Sequence, residues 1–524
     1  MDIEERKAAE KVTADKKEQK KKRQQKTTEQ DEEKIYRKDR NMRQKKWFGT
    51  NSSFTQGCIL AAALYFLLAG IFYYAAGEQL YERRSENEIP GAAWESPTPE
   101  VTKKQDIRQD FLCEMDILEH FTVAVCTFAR ENTGNLVIRL YDLSADRELF
   151  QESLRMEKLT DGQVLDCVLT QRADNVRGHV LCVTLTSDGT QGSAIAPWYA
   201  PSAVQEERQL YTGGQPTGGT LCFAAYGKDR VWTGPHYWQM VSVCGGLLCA
   251  GCIVLIYKKK HGKNSRIITM AYLYGKYRFL MRQLVSRDFK IKYKRSVLGA
   301  LWSFVNPLLT MSVQYVVFST LFKVDIVNYP VYLLSGIVLF NFFTESTNMS
   351  MYAITGNAGL ITKVYVPKYI YPVSKTLSTG VNLLISLLPL FLMCLGTGVY
   401  PTRAWLLLPF VLACLLVFCT GLSFMLSAVM VFFRDIQFIW SVLTMVLTYA
   451  TPVFYPETIL SEEMKAALVW NPMYHFITFI RIVVLEGISP QPRLYLICAL
   501  FSVTFFIIGM QAFRRLQDRF IFYL

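Results

Sequence analysis

Asn341, Glu345 and Asn348 stand at i, i+4 and i+7 in an otherwise apolar stretch, so on a helix they share one face. A carboxylate at mid-bilayer costs on the order of 3 kcal/mol on insertion scales, so such a face must meet protein or a wet path rather than lipid. Two readings stand: the lining of a translocation pathway, or a satisfied polar cluster between helices. Phe340, Phe342, Phe343 and Tyr352 crowd the same stretch, where rings either offer sliding contacts along that face or simply pack. A second concentration of chemistry is cationic. Residues 290–309, "KIKYKRSVLGALWSFVNPLL", place Lys290, Lys292, Lys294 and Arg295 ahead of an uncharged apolar run. A positive collar at the head of a span gathers anionic headgroups, or acts as an ordinary positive-inside stop. Just upstream, Tyr272, Tyr274, Tyr277, Phe279, Leu280 and Leu284 interleave with Lys276, Arg278 and Arg282, which suits a helix lying in the headgroup plane.

Other chemistries find no footing. The sequence has no G-x-x-x-x-G-K-[ST] phosphate loop, so this chain cannot hydrolyse ATP by that route. The five histidines are scattered, and no cysteine–histidine set has metal-ligand spacing. No Ser-His-Asp set can be argued, and no convincing paired acidic motif faces a sugar nucleotide. None of these sets gives the chain a catalytic centre or a cofactor of its own; a membrane glycosyltransferase or glycan-binding scaffold that uses an outside domain stays open as one reading.

These groups need elements to position them, and composition says what kind. The 524 residues are 51% hydrophobic and 13% aromatic, with mean hydropathy +0.16, yet 19% are charged. That mixture is too apolar for a soluble protein of this size and too charged to be all membrane. The net charge of +13 is concentrated in the first 46 residues, in Lys258–Lys260 and in the collar, each close to an apolar segment, which favours membrane surface over nucleic acid. Residues 57–76 and 238–257 each supply the roughly 20 apolar residues that a spanning helix requires. Further apolar stretches near 298–322, 330–354, 375–398, 405–432, 438–454 and 493–512 make six more expected spans. Lys363, Lys368, Arg434, Arg514, Arg515 and Arg519 sit on flanks that the positive-inside rule places in the cytoplasm, with both termini there too. The tail of residues 1–46 is a disordered run or solvated helix, with anionic-lipid binding as its functional reading.

Between the first two spans, residues 78–236 have the length of one domain, expected outside the cytoplasm. Leu136, Ile138 and Leu140 alternate with Val137, Arg139 and Tyr141, and Leu181, Val183 and Leu185 alternate with Cys182, Thr184 and Thr186. Period two means strands with one buried face. Turn signals between such runs, as in "TSDGTQG" and "TGGQPTGG", predict a jelly-roll-like β-sandwich. Such domains often bind sugars, so Trp198, Tyr199, Tyr211 and Trp232 are candidate pyranose contacts or else core aromatics. Cys113, Cys126, Cys167, Cys182 and Cys222 form up to two disulfides, or remain buried thiols.

From Arg266 onward several motifs occur in order: "RDFKIKYKRSVLGALW" at 287–302, "NAGLITKVYVPKYIYPVS" at 357–374, "FFRDI" at 432–436, "TPVFYP" at 451–456 and "WNPMYHFITFIRIVVLEG" at 470–487. As an ordered set they resemble the membrane subunits of polysaccharide-exporting ABC transporters, the O-antigen and teichoic-acid type, over about half the chain. The resemblance implies an α-helical six-span core, to which the apolar runs and the alternating strands read above add two extra amino-terminal spans and an inserted all-β domain. Its parts are a charged cytoplasmic tail (1–56), a span (57–76), the extracytoplasmic sandwich (77–237), a span (238–257), a linker with an amphipathic interface helix (258–297) and the exporter core (298–524).

Residue roles follow from the same resemblance. Arg282, Arg287, Lys290, Lys292, Lys294 and Arg295 belong to an interface helix that meets lipid headgroups and guides a lipid pyrophosphate. Leu360, Lys363, Val366, Pro367, Lys368 and Pro372 fall in the element that couples to the ATPase, with Arg434 and Asp435 pairing or docking beside it. Tyr455, Asn471, Pro472, Arg481 and Glu486 fall in an extracellular gate of short re-entrant helices, with Glu462, Glu463, Arg481 and Glu486 as ionisable groups at its edges. The implied assembly is a homodimer with two ATPase subunits carrying ATP and Mg, acting on a lipid-linked polysaccharide in the bacterial cell membrane, with membrane lipids and no nucleic acid as partners. The first 265 residues are a departure from that family, and they put its usual route of substrate selection in doubt.

Overall fold

The computed structural model describes residues 52–88, 95–201, 208–261, 265–294, 296–321, 326, 328–363 and 366–524. The charged tail and Arg295 lie outside the described residues, as do the side chains of Tyr272, Tyr274 and Glu462. The chain divides into two compact units: residues 76–237, and a helical unit of the described residues up to 75 together with 238–524.

The first unit is all β. Its strands are β1 (Glu82–Glu88), β2 (Ser96–Pro97), β3 (Ile107–Leu112), β4 (Ile117–Cys126), β5 (Asn135–Asp142), β6 (Arg147–Arg155), β7 (Val164–Asp174), β8 (Val180–Ser187), β9 (Ala196–Ala200), β10 (Arg208–Thr212), β11 (Gln215–Thr217), β12 (Thr220–Leu221) and β13 (Phe223–Arg230). One antiparallel sheet runs β1-β13-β4-β9-β12, with β2 on β9 and β7 on β4; the other runs β11-β10-β3-β8-β5-β6. Alternation decides which face goes in. Leu136, Ile138 and Leu140 of β5 and Leu181, Val183 and Leu185 of β8 are fully buried. Side chains from the two sheets meet across the sandwich, Phe111 with Phe223 at 4.9 Å between ring centroids and Phe121 with Phe150 at 5.5 Å. The five cysteines of this unit are buried free thiols. Asp142 has no exposed side-chain surface, and Arg147 and His179 hold it at 3.2 and 3.0 Å.

The helical unit begins with α1 (Ser52–Ala76) and α2 (Thr233–Lys260). They run antiparallel: Lys259 lies over the Phe54 ring, Tyr65 Oη donates to the Val241 carbonyl at 3.1 Å, and Tyr73 meets Trp238 at 5.3 Å. Gly245 allows the approach, since a Cβ there would come 2.6 Å from the Phe66 ring. Near its end α1 touches the remaining helices through Phe72 on Tyr495 and Tyr74 under Arg403. Next come α3 (Arg266–Tyr293), α4 (Trp302–Leu321), α5 (Tyr329–Met351), α6 (Ala358–Ile361), α7 (Ile370–Gly396), α8 (Leu408–Phe432), α9 (Ile436–Ala450), α10 (Glu462–Leu468), α11 (Pro472–Arg481) and α12 (Pro492–Leu516). Helices α8 and α12 cross closely at Gly421 and Gly509, where a Cβ on Gly421 would sit 2.5 Å from the Phe505 carbonyl oxygen. Small residues let backbones approach in this way where no hydrophobic effect drives helices together.

Among the described residues, six segments are long and apolar enough to cross a membrane: 54–80, 233–260, 299–319, 370–396, 403–432 and 492–523. Two expected spans, 330–354 and 438–454, are not among them. The first became α5, whose hydropathy is diluted by Ser335, Asn341, Thr344, Glu345, Thr347 and Ser350 and most of whose length is buried. The second became α9, only 15 residues long, because Thr451 before Pro452 adopts an extended conformation that ends the helix.

Candidate functional site

The end of α3 brings the cationic collar against α4, α5 and α7. Lys292 Nζ donates to Glu345 Oε1 at 2.6 Å, and Asn382 Nδ2 of α7 donates to the same oxygen at 2.8 Å. Tyr293 Oη donates to Asn382 Oδ1 at 3.0 Å and also meets the Ser303 hydroxyl. The Lys292 and Glu345 side chains remain 36% and 30% exposed, because this cluster faces a cavity of about 370 Å³. Trp302, Ser303, Asn306, Asn341, Thr379 and Ser386 complete most of its polar wall.

A second cavity, of about 500 Å³, adjoins the first at Lys292. Its defining group is Asp288, only 2% exposed, which holds Arg287 at 3.0 Å and Lys375 at 3.1 Å. Arg287 also donates to Asn357 Oδ1 at 3.2 Å. Three cations and two carboxylates therefore line a continuous polar track, with Glu345 more accessible than Asp288.

The collar residues Arg282, Arg287, Lys290, Lys292 and Lys294 are all exposed. Arg287 and Lys292 also carry ion pairs. Arg287 pairs with its neighbour Asp288 on α3 and reaches Asn357, and Lys292 pairs with Glu345 of α5. Asn341 and Glu345 line the first cavity together, whereas Asn348 is exposed and borders neither. The rings of α5 mostly pack: Phe343 lies against Phe418 and Trp440, and Phe340 is buried against Phe343. Tyr352 is exposed and donates to Gln437 Oε1 at 2.6 Å.

The expected coupling element splits into inward and outward parts. Leu360 and Val366 pack against an apolar cluster containing Leu284, Ile361, Tyr371, Phe424, Phe513 and Phe520. That cluster joins α3, the 355–371 segment and the ends of α8 and α12 at one pole of the bundle. Pro372 is buried in the first turn of α7, where the missing N–H costs nothing, so it starts a helix rather than bracketing a loop. The Pro367 carbonyl accepts the Ile370 amide at 3.1 Å, and Lys368 Nζ donates to the Gln517 carbonyl at 2.6 Å. Lys363, Arg434 and Asp435 are exposed, and among the described residues no ion pair joins Arg434 to Asp435.

The expected gate residues are structural anchors of the segment 449–487. Asn471 caps α11 by accepting the Met473 amide at 3.0 Å, and Pro472 occupies its first turn. Tyr455 Oη donates to the Tyr449 carbonyl at 2.6 Å, while its own carbonyl accepts Tyr332 Oη at 2.9 Å. Arg481 is buried, not at an edge. Its Nη1 donates to the Pro452 carbonyl at 2.7 Å, its Nη2 to the Val453 carbonyl at 2.9 Å, and its guanidinium lies 3.4 Å from the Tyr332 ring centroid. Glu463 and Glu486 are exposed.

The four candidate sugar-contacting rings are not brought onto one platform. Trp198 and Tyr199 lie on β9 of one sheet and are half-buried, and Tyr199 packs on the core. Tyr211 lies on β10 of the other sheet, half-buried with Arg108 over its ring. Trp232 is exposed outside both sheets, stacked on His236 at 4.2 Å.

Residues 280–485 match the ABC-2 type transporter family. The chain is 31% identical over 246 residues to the O-antigen export system permease protein RfbA of Myxococcus xanthus, covering 95% of that protein and 47% of this chain. The chain belongs to the ABC-2 type transporter family. It is also 28% identical over 257 residues to RfbA of Klebsiella pneumoniae, 98% of that protein and 48% of this chain. Against the polysialic acid transport protein KpsM of Escherichia coli it is 21% identical over 238 residues, 92% of that protein and 45% of this chain. The ABC-2 match begins inside α3 and ends just after Arg481, so it takes in both cavities and the buried guanidinium. The sandwich, α1 and α2 lie outside it.

Within the ABC-2 part, sequence reasoning missed Asp288, Lys375, Thr379, Asn382 and Ser386. A signal was present: Lys375, Thr379, Asn382 and Ser386 recur at i, i+4, i+7 and i+11 of a long apolar run, the same stripe logic that singled out Asn341 and Glu345.

Proposed function

We propose that the chain is the membrane-spanning permease subunit of an ABC exporter that moves a lipid-linked cell-surface polysaccharide of the O-antigen or teichoic-acid kind. It works as a homodimer with two copies of a separate ATPase, which bind the ATP and Mg. The observation that carries this reading is the match over nearly the whole length of relatives named as O-antigen export and polysialic acid transport proteins. The polar track agrees with it: a carboxylate and an amide wall inside an apolar bundle suit passage of a hydrated, hydroxyl-rich chain better than lipid contact. The pole bearing exposed Lys363, Arg434 and Asp435 is the proposed ATPase dock and the cytoplasmic side, with both termini cytoplasmic. Residues 77–237 then lie outside the cell membrane, where the sandwich spaces the exit or engages the polymer.

The test is purification of the full chain in mild detergent from its own cells. A phosphate-loop ATPase should copurify, and Lys363→Glu combined with Arg434→Glu should remove it without lowering the thermal stability of the permease. Extraction of the intact chain with no ATPase, or full retention of the ATPase by the charge-reversed variant, would count against the assignment.

A further inference from the structure

We infer that Cys58 of α1 and Cys252 of α2 form an oxidation site, a pair of thiols that an organic hydroperoxide dissolved in the bilayer converts to a disulfide between the two helices. Both residues lie outside the ABC-2 match, and the inference does not rest on the exporter reading. The thirteen cysteines of the chain are all free thiols. Those of the sandwich are buried, and so are Cys414 and Cys498, which neighbour each other on α8 and α12. Cys58 and Cys252 differ in being half-buried, with Ile59, Leu60 and Ile253 exposed beside them. The antiparallel register of α1 and α2 sets the pair between the Phe54–Lys259 contact and the Tyr65–Val241 hydrogen bond, and there the two thiols interact directly. Six residues, about 9 Å of helix, separate Cys252 from Lys258, the first of the cations that mark the membrane surface. The pair therefore sits inside the apolar layer, which a lipid-soluble oxidant reaches more readily than a water-borne one.

Cys58 is the thiol attacked first, because the Lys259 ammonium acts on it and reactive thiols are found beside cations. Its sulfur takes the terminal oxygen of the hydroperoxide and the O–O bond breaks. The alcohol leaves with the thiol proton, and Cys58 becomes a sulfenic acid. Cys252 is the resolving thiol: its sulfur attacks the Cys58 sulfur, the S–S bond forms, and the S–O bond breaks to release water with the Cys252 proton. Two thiols lose two electrons and one hydroperoxide gains them, so no further reactant is needed. The new bond closes the long stretch of chain between α1 and α2, and such a constraint on the unfolded chain grows with loop length. It also ties down α1, whose far end packs on Tyr495 and under Arg403 of the exporter core. Oxidation thus stiffens the two helices that precede that core.

The test uses the full chain in phosphatidylcholine nanodiscs, with a protease site inserted at residues 202–207, between α1 and α2 in sequence. After oxidation, alkylation of the remaining thiols and cleavage, the two fragments are separated in denaturing gels without reductant. Cumene hydroperoxide should leave them joined, and dithiothreitol should part them. Hydrogen peroxide, which arrives through water, should join them more slowly. Cys58→Ser and Cys252→Ser should each abolish the link, whereas Cys249→Ser, one turn before Cys252, and Cys498→Ser should leave it intact. In Cys252→Ser the sulfenic acid has no resolving thiol, so dimedone should label Cys58. Fragments that part after cumene hydroperoxide treatment of the wild-type chain, a link that survives Cys58→Ser, or faster linking by hydrogen peroxide than by cumene hydroperoxide would overturn the inference.

Discussion

Arg481→Met removes the buried clasp between α11 and the 451–456 segment. The Pro452 and Val453 carbonyls, which accept at 2.7 and 2.9 Å in the buried interior, would lose these donors. Each orphaned carbonyl costs ~1–3 kcal/mol, and a desolvated cation over a ring such as Tyr332 contributes ~2 kcal/mol. Against this, removing the guanidinium lifts the desolvation cost of a buried charge, so the net loss is ~3 kcal/mol. Arg481→Lys discriminates the cause. An ammonium keeps the charge but cannot fork to two carbonyls, so it should be destabilised nearly as much. Gly336→Ala presses on the same group, since a Cβ there would come 3.1 Å from the Arg481 Nη2, and should give a smaller loss. The assay is thermal unfolding of the full chain in nanodiscs. Wild-type stability in Arg481→Lys, or increased stability in Arg481→Met, would refute the clasp.

Gly421→Ala should force α8 and α12 apart at their crossing and cost ~1–3 kcal/mol, read as a lower melting temperature; an unchanged melt would show that the crossing can relax. In the sandwich, burial alone pushes the carboxyls of Asp142, Asp116 and Glu100 up, but hydrogen bonds outweigh it and hold all three below the usual range. The donors are His179, the Ala145 amide and Arg147 for Asp142, the Arg230 amide and Arg177 for Asp116, and Arg130 with the Gly192 amide for Glu100. Their folded pKa values lie below the unfolded ones, so their contribution is complete above about pH 5 and is lost as pH falls through the folded values. Limited proteolysis of residues 76–237 in the full chain should therefore begin in acid and not between pH 6 and 8, and Asp142→Asn should narrow that acid sensitivity. Trp232→Ala should leave the melt unchanged, because the ring is 64% exposed outside both sheets; a large loss would mean that it is part of the core.

Period and apolar length carried most of the fold. The β5 and β8 alternation named the buried residues correctly because a sandwich strand has only two faces. Runs such as 57–76 and 405–432 announced helices by length. α5 and α9 were harder, because burial inside protein tolerates Thr and Ser that a lipid-facing span would not, and because Pro452 cuts α9 short. The site was half legible. The stripe of Asn341 and Glu345 is local, but the Lys292–Glu345 pair joins residues 53 apart in sequence, and no local pattern connects them. Charge alone also misled at Arg481, which looked like a rim residue and is a buried donor to backbone carbonyls. Asn471 and Pro472 form the start signal of α11, a local pattern that the sequence already carries. The rings at 198, 199, 211 and 232 were chosen by type, and type says nothing of which sheet or face a residue occupies.

The most direct measurement of the central claim is the location of the cell-surface polysaccharide after deletion of this chain from its own cells. The exporter account predicts that the polymer accumulates inside on its lipid carrier, disappears from the surface, and returns when the full chain is restored with its ATPase. Undiminished surface polymer in the deleted strain would contradict it.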